Sequence, residues 1–224
     1  VVYANTDGAD MARVIGDVRQ AVAASALPGG YFISVEGQFQ AQEQAQQLIV
    51  GLSLASLVLI FLVLYSRYRS TTLALVIMGN IPFALVGSVI AMWIAGVALS
   101  VASMVGFITL AGIATRNGIL KVSHYVNLCK FEGEQFGWPM IVRGSIERLT
   151  PVLMTALVAA FALTPLLLAA DAPGKEILHP VAVVIFGGLI SSTLLDSLLI
   201  PLIFWKFGRR PLERLLADDR GDMM

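Results

Sequence analysis

The chain has 224 residues, 57% hydrophobic and 13% charged, with zero net charge and a mean hydropathy of +0.81. Soluble domains carry about a quarter of their residues as charges, so this composition excludes an ordinary soluble domain and indicates an integral membrane chain. The neutral balance implies no polybasic or acidic partner, the single cysteine (Cys129) excludes an intrachain disulfide, and two histidines leave little for a soft metal site.

Residues 1–45 read as a soluble strand–helix–strand unit. Val1 to Asn5 is a short apolar strand, Asp7 or Asp10 caps a helix, and Met11, Val14, Val18 and Val22 form its buried side. Pro28-Gly29-Gly30 ends the helix, and Tyr31, Ile33 and Val35 alternate with Phe32, Ser34 and Glu36 as a second strand. The stretch lacks an early apolar core and is not a signal peptide. One such unit is too small to bury a core. It begins without methionine, so the chain is expected to be a piece of a longer protein.

Five apolar spans follow, over about 46–65, 71–95, 101–126, 149–170 and 180–205, with a tail at 207–224. The glutamine-rich Gln38 to Gln47 leads into the first. Asn80-Ile81-Pro82 predicts a kink or broken turn in the second, and Trp93 to Ser100, with Gly96, a loop after it. Cys129 to Glu147 carries Glu132, Glu134 and Trp138-Pro139 and suits a short interfacial helix before the fourth span. Pro180 suits the first turn of the fifth. Ten Lys and Arg residues (67, 69, 130, 143, 148, 206, 209, 210, 214, 220) fall on one side and three (13, 19, 175) on the other. The positive-inside rule puts the ten in the cytoplasm, the N-terminal unit outside and the tail inside.

The stretch Gly106 to Val126 carries Arg116, Asn117, Lys121 and His124 inside an apolar span. Ionisable groups at membrane depth cost a few kcal/mol on insertion scales and therefore face a bundle or a wet cavity. Asn117, Lys121 and His124 share one helix face, and Thr109, Gly112, Arg116 and Ser123 form a second small, polar stripe. Asp196 lies one turn beyond Ser192 and two beyond Gly188, on a ridge that permits close helix packing.

Three blocks carry a family resemblance: Leu27-Pro28-Gly29-Gly30-Tyr31 with Gly37-Gln38-Phe39 and Gln44; Gly112 to Leu120, reading GIATRNGIL; and Arg148 to Thr155, reading RLTPVLMT, followed by Gly187 to Thr193, reading GGLISST. In order and spacing the chain resembles the C-terminal part of the inner-membrane pump of the resistance-nodulation-division (RND) class, most of all its heavy-metal efflux branch. The resemblance implies a membrane all-α fold in which these spans are the eighth to twelfth of twelve. Residues 1–45 would then close a periplasmic β-α-β subdomain of the porter. It further implies proton-driven export of metal cations or amphiphilic drugs, no cofactor, and no enzymatic activity. The implied partners are the remaining N-terminal part of the pump, two further copies in a homotrimer, a periplasmic adaptor protein, an outer-membrane channel and the bilayer.

By motif match, Arg116 and Thr155 occupy the positions of a basic residue and a threonine near the proton-binding acids, which belong to the absent half. Drug-pumping relatives carry lysine where this chain has Arg116. Arginine does not lose its proton, so here it is a fixed counter-charge. Asp196 departs from the family pattern; it either takes up a proton or holds Arg116 in a salt bridge, with a plain helix–helix hydrogen bond as the alternative. Asn117 completes the relay candidates, against a structural role between helices. Thr155 is set against a hydroxyl bonding back to its own helix. Lys121 and His124 are secondary: the lysine is expected to snorkel to the headgroups, and the histidine to sit at the interface or shuttle protons. The scattered methionines are packing residues rather than metal ligands. Enzyme and nucleic-acid signatures are absent. A truncated scaffold subunit and a membrane-embedded enzyme using Asp196, Lys121 and His124 are the competing readings.

Overall fold

The computed structural model describes residues 11–25, 38–168 and 177–221. Eight helices occur among them: α1 (Met11–Ala24), α2 (Gln38–Tyr68), α3 (Thr71–Met78), α4 (Asn80–Ala95), α5 (Val101–Phe131), α6 (Trp138–Leu167), α7 (Leu178–Phe207) and α8 (Arg209–Gly221). The chain divides into two units, Val1–Val50 and Gly51–Met224.

In the first unit, α1 is described, and an exposed ion pair joins Arg19 to Glu43 at 3.3 Å. The strands read at 1–5 and 31–36 lie outside the described residues, and no strand occurs among the described ones, so the β-α-β piece is not supported. The expected buried side of α1 is corrected as well. Val14 and Val22 are half-buried and Val18 is 41% exposed, so these three do not form a buried stripe among the described residues.

The second unit is all helix. Five stretches are long and apolar enough to cross a membrane: Glu43–Tyr68, Thr71–Ala95, Val101–Phe131, Trp138–Leu167 and Leu178–Phe207. The second is broken where Asn80-Ile81-Pro82 leads one to expect it. Proline lacks the N–H that would continue the ladder, and Gly79 closes α3 and opens α4. Ser70 caps α3, accepting from the Leu73 N–H at 3.4 Å. Gly96 ends α4 in a left-handed turn at φ 65°, and Ser100 and Ser103 form a capping box that starts α5.

Two boundaries differ from the sequence reading. Helix α5 runs on to Phe131, and no separate interfacial helix precedes α6. Gly137 is the N-cap of α6, and Pro139 sits in its first turn, where a missing N–H costs nothing. The charged residues Arg143, Glu147 and Arg148 therefore ride on the opening turns of a continuous helix.

Helices α3–α4, α5 and α7 make the centre: 44%, 39% and 44% of their apolar stretches are buried, against 6% for α2 and α6. The α4–α7 contact depends on small residues. A Cβ on Gly87 would strike Ser191, one on Gly187 would strike Ala91, and one on Gly188 would strike Leu110 and Ser88. Ser88 Oγ donates to the Val184 carbonyl at 2.7 Å, and Ser191 Oγ to the Phe83 carbonyl at 2.9 Å. Where lipid is as apolar as the side chains, such close backbone approach and interhelical hydrogen bonds supply the association. At one end Tyr125, Phe204, Leu73, Ile77, Met140, Ile141 and Leu212 pack into a cluster. Tyr125 and Phe204 lie 4.8 Å apart there, and Tyr125 shares a 2.7 Å hydrogen bond with Ser145.

Candidate functional site

Three polar side chains meet inside the second unit, one from each central element. Asp196 on α7 is fully buried, Lys121 on α5 is 2% exposed and Asn80 at the start of α4 is 2% exposed. The Lys121 ammonium lies 3.0 Å from Asp196 Oδ2, an ionic contact without hydrogen-bond alignment, and donates to the Asp196 main-chain oxygen at 2.8 Å. Asn80 Nδ2 donates to Asp196 Oδ1 at 3.2 Å and to the Ala114 carbonyl at 3.3 Å.

Local sequence explains the meeting. The break at Gly79 places Asn80 in the first turn of α4, so its amide points across to α7 rather than along its own helix. Gly118, one turn before Lys121, lets α5 approach Ile77 of α3, whose carbonyl lies 3.1 Å from where a Cβ would stand. Gly188 and Ser192, on the same face of α7 as Asp196, bring that helix close. The result is a carboxylate between one ammonium and one amide, in apolar surroundings. Such a group holds a fixed charge pair while ionised. On taking up a proton it releases the lysine from that pairing.

This corrects two expectations. Lys121 does not reach for the headgroups. It stands ten residues before the end of α5, about 15 Å along the axis, and turns inward to a carboxylate instead. Asp196 is held by Lys121 and Asn80, not by Arg116.

The remaining candidates divide between buried and exposed. Asn117 is 3% exposed, one turn from Lys121. Arg116 is exposed, on the stripe with Thr109 and Gly112, which are exposed too; a Cβ on Gly112 would meet nothing within 4 Å. No ion pair to Arg116 occurs among the described residues. Thr155 is exposed on α6 and donates back to the Val152 carbonyl at 2.9 Å, the local bonding weighed for it above. His124 belongs to a separate network where α5 meets the start of α6. Its Nε2 is 2.6 Å from Glu147 and its Nδ1 3.4 Å from Arg148. Arg143 binds Glu147 at 2.9 Å, Glu134 at 2.8 Å and Glu132 at 2.6 Å. No group of three or more His, Cys, Asp or Glu side chains fit to hold a metal ion occurs among the described residues.

Sequence reasoning missed Asn80 and the pairing role of Lys121. A signal for the first was present: Asn80 is an amide within a long uncharged stretch, where an unpaired polar group is costly.

The sequence model of the AcrB/AcrD/AcrF family matches residues 1–208. Among curated proteins, the chain is 33% identical over 205 residues to the cobalt-zinc-cadmium resistance protein CzcA of Cupriavidus metallidurans, covering 91% of this chain and 19% of that protein. It is 36% identical over 226 residues to the protein HelA of Legionella pneumophila, covering all of this chain and 21% of that one. To the cation efflux system protein CusA of Escherichia coli K12 it is 31% identical, over 91% of this chain and 20% of the relative. A crystal structure of a heavy metal efflux pump superposes with a TM-score of 0.78 at 32% identity, covering 92% of this chain and 20% of that one. The chain thus spans about a fifth of the length of the curated relatives it matches.

Proposed function

Because the chain belongs to the AcrB/AcrD/AcrF family, we propose that it is the C-terminal membrane part of a proton-driven RND pump of the bacterial inner membrane. The proposed substrates are metal cations, exported from the periplasm or inner membrane toward the outside. The substrate class rests on relatives named for cobalt-zinc-cadmium resistance and cation efflux. In this reading the five spans are half of the helix bundle, the N-terminal unit is periplasmic and the tail cytoplasmic, as the ten-to-three distribution of Lys and Arg supports. The working partners are the N-terminal part of the pump, two further copies, a periplasmic adaptor and an outer-membrane channel.

The observation that carries the reading is the placement of Arg116. An arginine within an apolar span, exposed beside Thr109 and Gly112, has a charge that hydrocarbon does not accommodate. It calls for an acidic surface to cover it, and a helix from the rest of the pump would provide one. Arg116 then acts as the fixed counter-charge of the proton-binding acids, with Thr155 beside it. The Lys121–Asp196–Asn80 group would be a second, internal charge site on the same proton path, with Asn117 one turn away.

The test is metal tolerance of cells in which the full-length pump is the sole exporter for cobalt, zinc or cadmium. Arg116→Ala is expected to abolish tolerance at wild-type expression, and Asp196→Asn to abolish it beyond what its loss of stability accounts for, with the amount of pump in the membrane measured in both. Tolerance unchanged in both would remove the relay from this half of the bundle. Loss of tolerance to organic amphiphiles alone would reassign the substrate.

A further inference from the structure

At the end of the bundle that carries the ten-residue basic side, a recess of about 1010 Å³ opens between the closing turns of α2, α5 and α7 and the opening turns of α3 and α8. Seven of its lining residues are Lys or Arg and none is Asp or Glu. Part of that charge is already engaged. Arg209 pairs with Glu213 at 3.0 Å, while Arg67 and Lys206 lie over the rings of Tyr68 and Phe207 at 5.7 and 5.5 Å. Arg69, Arg210 and Arg214 line the recess with no ion-pair partner among the described residues. Three guanidinium groups with no ion-pair partner among the described residues gather at one concavity, a setting that favours a bound anion.

Two further features point the same way. Arg69 holds φ 46°, the left-handed region that suits glycine, and it is the only non-glycine residue to do so among those described. Arg69 is the left-handed residue that closes α2, its N–H donating to the Tyr65 carbonyl at 2.7 Å, and this turn sets where its side chain leaves the helix. The recess is also lined by Ser70, Thr71 and Thr72 at the N-terminus of α3 and by Arg209 and Arg210 at that of α8, so two helix N-termini offer N–H donors there, beside the C-terminal ends of α2, α5 and α7, whose negative dipole ends the basic side chains also offset. Depth is set by aromatics. Trp205 stacks on Phe136 at 5.7 Å and meets Trp138 edge-on at 5.8 Å, the kind of belt that lies at the boundary between hydrocarbon and headgroups.

We propose that this recess binds the phosphate headgroup of an anionic phospholipid. The guanidinium groups and helix ends take the phosphodiester. The apolar side of the recess, with Val126, Phe131 and Leu215, takes the glycerol and the first carbons of the acyl chains. A phospholipid fits better than a free anion because the recess joins a cationic wall to an apolar one at membrane depth. The proposal stands on this geometry and does not depend on what the pump exports.

The test uses the full-length pump in nanodiscs, with phosphatidylglycerol added to phosphatidylcholine, and measures lipid retention by native mass spectrometry after detergent release. Wild-type protein is expected to retain phosphatidylglycerol over phosphatidylcholine. Arg210→Gln and Arg214→Gln are each expected to weaken retention about fivefold, the equivalent of about 1 kcal/mol per cation at an anionic surface. Arg69→Gly relieves the backbone strain, so it should lose lipid while keeping thermal stability in pure phosphatidylcholine. Unchanged retention in the variant that combines Arg69→Gly, Arg210→Gln and Arg214→Gln overturns the proposal. Equal displacement by glycerol phosphate would make the recess a soluble-anion site. Equal destabilisation of the variants with and without phosphatidylglycerol would mean that another part of the pump fills it. Either result overturns the lipid assignment.

Discussion

The Lys121–Asp196 pair makes a prediction that can be worked through. Lys121→Met keeps most of the side-chain volume but removes the ammonium 3.0 Å from Asp196, leaving a fully buried carboxylate with Asn80 alone, at 3.2 Å. Breaking a buried ion pair by removing one partner costs about 3–5 kcal/mol, and one charge at membrane depth costs about 2.5–3.5 kcal/mol on insertion scales. A loss of about 3 kcal/mol is therefore expected, roughly a 150-fold shift in the unfolding equilibrium. Asp196→Asn should cost a similar amount by stranding Lys121, whereas the double variant, with neither charge, should return to within about 1 kcal/mol of wild type. The measurement is a double-mutant cycle on the full-length pump, unfolded by sodium dodecyl sulfate in mixed micelles. Simple interhelical hydrogen bonds in membranes average about 0.6 kcal/mol. A coupling energy at or below that value would refute the reasoning, since the two charges would then not share a low-dielectric site. Metal tolerance of the double variant separates fold from function: a stable protein that no longer exports identifies the charges as working groups.

Arg116→Lys should lower metal tolerance less than Arg116→Ala if a fixed positive charge is what this position supplies; equal losses would transfer the role to the shape of the guanidinium. Gly188→Ala drives a methyl group into Leu110 and Ser88 and should cost about 1–3 kcal/mol in the same unfolding assay, while a cost near zero would show that α4 and α7 are less tightly joined than described. With Cys129 replaced, a single cysteine at Glu213 should react with a membrane-impermeant thiol reagent in inside-out vesicles and not in intact cells; the reverse pattern would invert the proposed orientation. Arg143→Gln removes three exposed carboxylate contacts and should change stability little, with the change disappearing at high salt, as surface pairs do.

Much of the helical part was legible because composition and breakers act locally. The uncharged run from Ser70 to Thr115, Pro82 and Gly96 placed the second span, its break and the loop after it. The pairing of Asp196 was not legible, since which helices meet depends on tertiary packing. Lys121 was misread for a related reason. With the third span ended at 126, the lysine stood near an interface; in α5, which extends to Phe131, it lies about 15 Å from the helix end and is held by a buried partner instead. The interfacial helix before α6 was a similar error: charged turns resembled a separate element, although Gly137 and Pro139 already marked the start of a long one. His124 found Glu147, a partner on the neighbouring helix that no spacing within one segment reveals.

The glycine-to-serine seam between α4 and α7 has a mechanical consequence. Gly87, Gly187 and Gly188 leave no flexible side chains between the two backbones, and the serine bonds at each level fix their register. Packed backbones slide only by unlocking every such contact together. These two helices are therefore expected to move as one body, whereas α2 and α6, with 6% of their apolar stretches buried within this chain, leave most of their surface for other contacts.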